Sequence, residues 1–242
     1  MKPFSTYLAE LFDRTFELEK RDYAGYETKG EYRFVVQEKG GRLLPVPLGG
    51  AALDAWVDEN YDGVTPTVYT YVINFTKTSW FKGEYAEFAL FYGIDSIGMD
   101  EIYELGFDRR GTELRRRRPQ PQPIGSPPKN TSTYFWSSIV GLATDEDLNW
   151  LGAGEASAVI GTVVEAAKRF VAEVRPRGIV IGTKANANPA RGRIYKALAR
   201  RAAAVTRGTV YDLAMARGDM AAPAIVWFRK SDDPFRALRG IV

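Results

Sequence analysis

The chain is expected to fold as an α+β protein, with a mixed, mostly antiparallel sheet flanked by helices, and three observations carry that expectation. Alternating apolar and polar residues mark strands through the amino half, as in T-V-Y-T-Y-V-I-N-F-T from Thr67 to Thr76. A long amphipathic stretch follows the run N-W-L-G-A-G-E-A at Asn149 to Ala156. The carboxyl half then reads strand, helix, strand, helix, strand, strand, a succession that needs both parallel and antiparallel pairing.

In order, Phe4, Leu8, Leu11 and Phe12 fall at helical spacing behind Ser5. Residues Glu31 to Glu38 alternate as a strand, Gly40 and Gly41 supply a hairpin turn, and Arg42 to Leu48 return as a strand that Pro45 and Pro47 push to a sheet edge. A short helix is expected over Ala51 to Val57, and Tyr85 to Tyr92 should pair with the Thr67 to Thr76 strand. Residues 1–66 thus form a helix and hairpin extension of one domain that spans residues 1–242.

Arg109 to Asn130 breaks the pattern. Six arginines face Glu113, and five prolines follow between Pro119 and Pro128. Such a stretch cannot bury enough apolar surface to fold alone, so 109–130 is expected as an exposed loop, suited to an acidic protein assembly partner or to nucleic acid.

Thr133 to Ala143 reads as the strand that leads into the glycine-containing run. Gly152 and Gly154 remove Cβ atoms where a helix begins, so amides from Leu151 through Ala153 to Glu155 can point at one oxyanion. In that helix Ala156, Val159, Ile160, Val163, Ala167, Phe170, Val171 and Val174 line one side, and Pro176 ends it. Gly178 to Thr183 is a short buried strand. Asn188 and Pro189 then open a second helix, whose outer face carries Arg191, Arg193, Lys196, Arg200 and Arg201. Thr209 to Met215 and Ala224 to Arg229 complete the strands.

Composition narrows the chemistry. Cysteine and histidine are both absent, which removes disulfides, thiol nucleophiles, histidine bases and Cys/His metal sites. Net charge is only +3, so charge argues by location. The amino end lacks a secretion-signal pattern, and no apolar run approaches the roughly 20 residues that span a bilayer. A cytoplasmic protein away from membranes is expected, in a host cell or a virion if a phage encodes it.

The pattern Asn149-x-x-Gly152-x-Gly154 resembles the Q/R-x-x-G-x-G/A pyrophosphate loop of the GNAT acetyltransferase superfamily. The second helix resembles that superfamily's N-x-x-A-x-x-L-Y segment through Asn188, Ile194 and Tyr195, with Arg191 where a small residue is usual. The amino end, M-K-P-F-S-T-Y-L-A-E-L-F, is similar to phage-encoded GNAT-like proteins.

The resemblance implies a GNAT-like sheet with an acyl-CoA-binding half at 131–230. It implies acetyl-CoA as co-substrate and an amine-bearing acceptor, small or macromolecular. Asn149, Leu151, Gly152, Ala153, Gly154, Glu155, Asn188 and Arg191 would bind the cofactor, and Tyr195 would protonate the departing thiolate. Asp145, Glu146 and Asp147 are candidates for the base. A catalytically silent phage structural protein is the alternative, and a nucleic-acid module ranks last because no recognised reading motif accompanies the charge.

Overall fold

In the computed structural model, residues 15–21, 28–61, 68–77, 102–116, 133–138, 153–182, 199–200, 203–204, 206–217 and 220–233 are described. The strands are β1 (Glu19–Arg21), β2 (Thr28–Lys39), β3 (Arg42–Pro45), β4 (Val68–Lys77), β5 (Ile102–Arg116), β6 (Tyr134–Ser138), β7 (Gly178–Gly182), β8 (Gly208–Arg217) and β9 (Met220–Arg229). Among the described residues two complete α-helices accompany them, α1 (Gly50–Asn60) and α2 (Ala153–Val174). Residues 199, 200, 203, 204 and 206 are helical as well.

The protein is α+β, with a mixed sheet in the order β1-β2-β4-β5-β7-β9-β8, β3 on β2 and β6 on β5. β7 runs parallel to the start of β5, with Ile102 opposite Gly178. The β2–β3, β5–β6, β7–β9 and β8–β9 pairs are antiparallel. Gly40 and Gly41 have φ of 60° and 73°, the left-handed pair that closes a two-residue hairpin between β2 and β3.

The chain divides into two compact units. Unit 1 comprises Met1–Lys20, Tyr32–Val72 and Phe107–Thr162, and unit 2 comprises Arg21–Glu31, Ile73–Gly106 and Val163–Val242. The elements β1, β2, β4, β5 and α2 each give residues to both units.

Among the described residues of unit 1, apolar side chains gather in two groups. Val35, Val46, Leu53, Val57, Val68 and Trp136 form one cluster, with Trp56 edge-on to Trp136. Phe16, Phe34, Tyr71 and Phe107 stack face to face in succession, at centroid spacings of 5.1, 4.9 and 5.5 Å. In unit 2, Phe170 of α2 lies flat on Phe75 at 4.0 Å and meets Tyr103 edge-on at 5.1 Å. Ile179, Val180 and the run Ile225 to Phe228 are buried there, as are Ala199 and Ala203, four residues apart on one helical face.

Two elements differ from the sequence reading. The expected loop at 109–130 is strand over its first part, since β5 extends to Arg116 and pairs with β6 from Thr112↔Ser138 to Arg116↔Tyr134. Arginine does not bar a strand when its guanidinium is accommodated: Arg109 is buried over the Tyr69 ring at 3.7 Å, with the Glu38 carboxylate 3.6 Å away. Residues 102–108 also belong to β5, although the sequence reading placed no strand there. Finally, α2 buries Ala158, Thr162, Val164 and Ala166 beyond its expected stripe. The expected helix at Phe4 to Phe12 and strand at Tyr85 to Tyr92 lie outside the described residues.

Both described helix ends near β7 and β8 close on arginine rather than glycine. Arg175 has φ of 52° just after α2, and its N–H donates to the Val171 carbonyl at 3.1 Å. Arg207 has φ of 53° just after helical residue 206. The left-handed conformation costs an L-residue with a Cβ roughly 1–2 kcal/mol, which is why glycine is usual there.

Candidate functional site

The head of α2 is the site the sequence points to, and it begins at Ala153 with Gly154 inside the first turn. Glu155 follows, buried, and its Oε2 accepts a hydrogen bond from the Leu43 backbone N–H at 3.1 Å. This bond joins residues 112 apart in sequence. A carboxylate in the first turn of a helix complements the positive end of the dipole, a gain of about 0.3–1 kcal/mol. Part of the field that would attract a phosphate at this end therefore already acts on a carboxylate of the chain itself.

Farther along, the fully buried Thr162 hydroxyl donates to the Ala158 carbonyl at 2.8 Å and accepts from the Phe16 N–H at 2.9 Å. Each buried backbone donor thereby gains an acceptor that no strand ladder supplies. Of the expected cofactor residues, the structure places Ala153, Gly154 and Glu155 together in the first turn of α2. Asn149, Leu151, Gly152, Asn188 and Arg191 lie outside the described residues, as do Tyr195 and the candidate bases Asp145, Glu146 and Asp147.

A second polar constellation lies at the foot of the β5–β6 hairpin. The Asp54 carboxylate of α1 accepts the Thr133 N–H at 3.0 and 3.1 Å from its two oxygens, and Tyr134 N–H at 3.3 Å. The Trp136 indole N–H donates to the Pro47 carbonyl at 2.9 Å. On β1 and β2, Glu19 and the buried Arg33 form an ion pair. Sequence reasoning did not single out Asp54, Thr162 or the Leu43 amide, because each partner lies dozens of residues away and no local pattern marks it.

Among the described residues no group of three or more acids could hold a metal ion, and no helix is long and apolar enough to cross a membrane. Compared with family models, curated proteins and solved structures, the chain has no match.

Proposed function

We propose that the chain is a GNAT-like acyltransferase that binds acetyl-CoA and passes the acetyl group to an amine. The observation that carries this reading is the order of elements in the carboxyl half of the chain. β6 precedes α2, β7 follows it and lies parallel to the start of β5, helical residues 199, 200, 203, 204 and 206 come next, and β9 is inserted between β7 and β8. This supports the strand, helix, strand, helix, strand, strand order that the resemblance implies, although β7 pairs with β5 and not with β6, the strand that leads into α2.

In this reading amides around Gly152 and Gly154 take the cofactor's pyrophosphate, with Asn149, Asn188 and Arg191 beside it. The acceptor amine, once deprotonated, attacks the thioester carbonyl, and backbone N–H groups stabilise the oxyanion. Collapse breaks the C–S bond and leaves the new C–N bond; Tyr195 gives its proton to the thiolate, and the proton that the nitrogen sheds passes through water to restore the Tyr195 hydroxyl. None of these steps needs histidine or cysteine.

The test is a thermal-shift titration with acetyl-CoA, paired with colorimetric counting of released thiol in the presence of amines. The protein has no cysteine, so every thiol counted comes from coenzyme A. The expected result is a rise in melting temperature with ligand, abolished by Gly154→Val. Tyr195→Phe should lower kcat while the ligand-induced shift is kept. No shift at millimolar acetyl-CoA would overturn the reading.

Glu155 favours a second reading. Its carboxylate, bonded to the Leu43 amide at the helix head, suits a catalytically silent scaffold, such as a phage virion or assembly protein. That scaffold would meet its partner through 109–130, whose return strand is held at its start by Asp54. The same titration separates the two, because a scaffold gives no ligand-dependent shift.

A further inference from the structure

Three stretches of unit 2 that are far apart in sequence bring cations to one place. β7 starts at Gly178, β8 starts at Gly208 and β9 ends at Arg229, and the registers Gly178↔Phe228 and Gly208↔Arg229 put these strand ends side by side. The Arg229 N–H donates to the Arg177 carbonyl at 2.9 Å, and its guanidinium donates to the Arg175 carbonyl. Arg175, Arg177, Arg207, Arg229 and Lys230 therefore converge, although no run in the sequence announces them. Neighbouring strands are about 4.8 Å apart, so the cluster spans roughly 10 Å from β7 to β8.

Arg175, Arg207 and Lys230 are exposed, and among the described residues no carboxylate is paired with any of them. The acids of these segments are Glu173, Asp232 and Asp233, and the Asp233 carboxylate is engaged by the Tyr211 hydroxyl at 2.8 Å from each oxygen. Cations near a helix end can serve only to offset its carbonyls. Arg229 fills that role for Arg175. It does not explain why Arg175 and Arg207 are themselves the left-handed residues, where glycine would cost less and leave the carbonyls just as accessible. Both non-glycine residues with positive φ in the described chain are exposed arginines at this one place.

We propose that this basic end of unit 2 binds the phosphodiester backbone of nucleic acid without reading base sequence. Arginine forks suit phosphate oxygens, and contacts of this kind need no apolar surface. A protein partner would require an apolar centre, and no large hydrophobic of unit 2 is exposed among the described residues. The surface is distinct from the head of α2 and does not depend on acetyl transfer.

The experiment uses the full chain and a fluorescein-labelled 20-base-pair DNA duplex, read by anisotropy at 50, 100 and 200 mM KCl. The wild type is compared with the triple variant Arg175→Gly, Arg207→Gly, Lys230→Ala. Both glycine changes relieve a left-handed side chain, so the variant should melt at or above the wild-type temperature, and loss of folding cannot mimic loss of binding. The expected result is affinity weakened about tenfold or more at 100 mM KCl, with a log–log salt slope shallower by about 2 to 3. No duplex binding at 50 mM KCl, or equal affinities and slopes for the two proteins, would overturn the proposal. So would tighter binding of polyglutamate than of DNA at matched charge, which would indicate an acidic polypeptide as partner.

Discussion

In unit 1, side-chain acceptors reach backbone amides across long stretches of chain: buried Glu155 to Leu43, buried Thr162 to Phe16, and half-buried Asp54 to Thr133 and Tyr134. In unit 2, the described framework is strand ladders and packed rings, with Tyr211 and Asp233 tying β8 to the turn beyond β9. The contrast teaches where each unit is vulnerable. Loss of apolar volume should hurt both alike, whereas loss of a buried acceptor strands an amide in unit 1.

The largest effects should show the similarity. Phe34→Ala removes the ring between Phe16 and Tyr71, and Phe170→Ala removes the ring between Phe75 and Tyr103; both residues are fully buried. Each should cost about 3–5 kcal/mol in urea unfolding. If both variants shift one shared transition, the units unfold together. Two separable transitions would sharpen the division between them.

Next come two changes that should expose the difference, each worth about 1–3 kcal/mol. In unit 2, a Cβ added at Gly208 would overlap the Trp227 indole, so Gly208→Ala should lower the urea midpoint and alter the near-ultraviolet circular dichroism. In unit 1, Glu155→Ala leaves the buried Leu43 N–H without this acceptor, while Glu155→Gln keeps an oxygen in place and should cost less. Hydrogen exchange at the Leu43 amide measures this directly, and unchanged protection in Glu155→Ala would break the comparison.

The smallest effect concerns the exposed side of α2. Partial burial pushes the Glu165 carboxyl up, but hydrogen bonds and charge from Lys168 and Arg169 outweigh it and hold the group below its usual range. A folded value below the unfolded one means stability that is fully present above the unfolded pKa and lost as pH falls through the folded one. Glu165→Gln should therefore cost a few tenths of a kcal/mol at neutral pH and nothing at strongly acid pH, by paired thermal melts.

Much of unit 2 was legible in the sequence because its signals are local. The apolar spacing from Val163 to Phe170, the β-branched run Gly178 to Gly182 and the strands at Thr209 and Ala224 each declare themselves within a few residues. Unit 1 was legible in its β2–β3 hairpin, where paired glycines dictate the turn, and in α1 and β4. β5 was hidden, because its arginines read as solvated and the ring of Tyr69 that shelters Arg109 comes from another strand. At the candidate site the helix head was foreseeable from Gly152 and Gly154. The inward turn of Glu155 was not, since Leu43 is invisible from there.

The alternation of segments between the units has a consequence for how the protein is made. Six segments alternate, so the chain passes five times from one unit to the other. Unit 1 cannot close until Thr162 has left the ribosome, and by then 21–31 and 73–106 have waited for partners that are not yet synthesised. Contacts this distant make for slow assembly and a vulnerable nascent chain. No single proteolytic nick would release either unit as an intact, contiguous fragment.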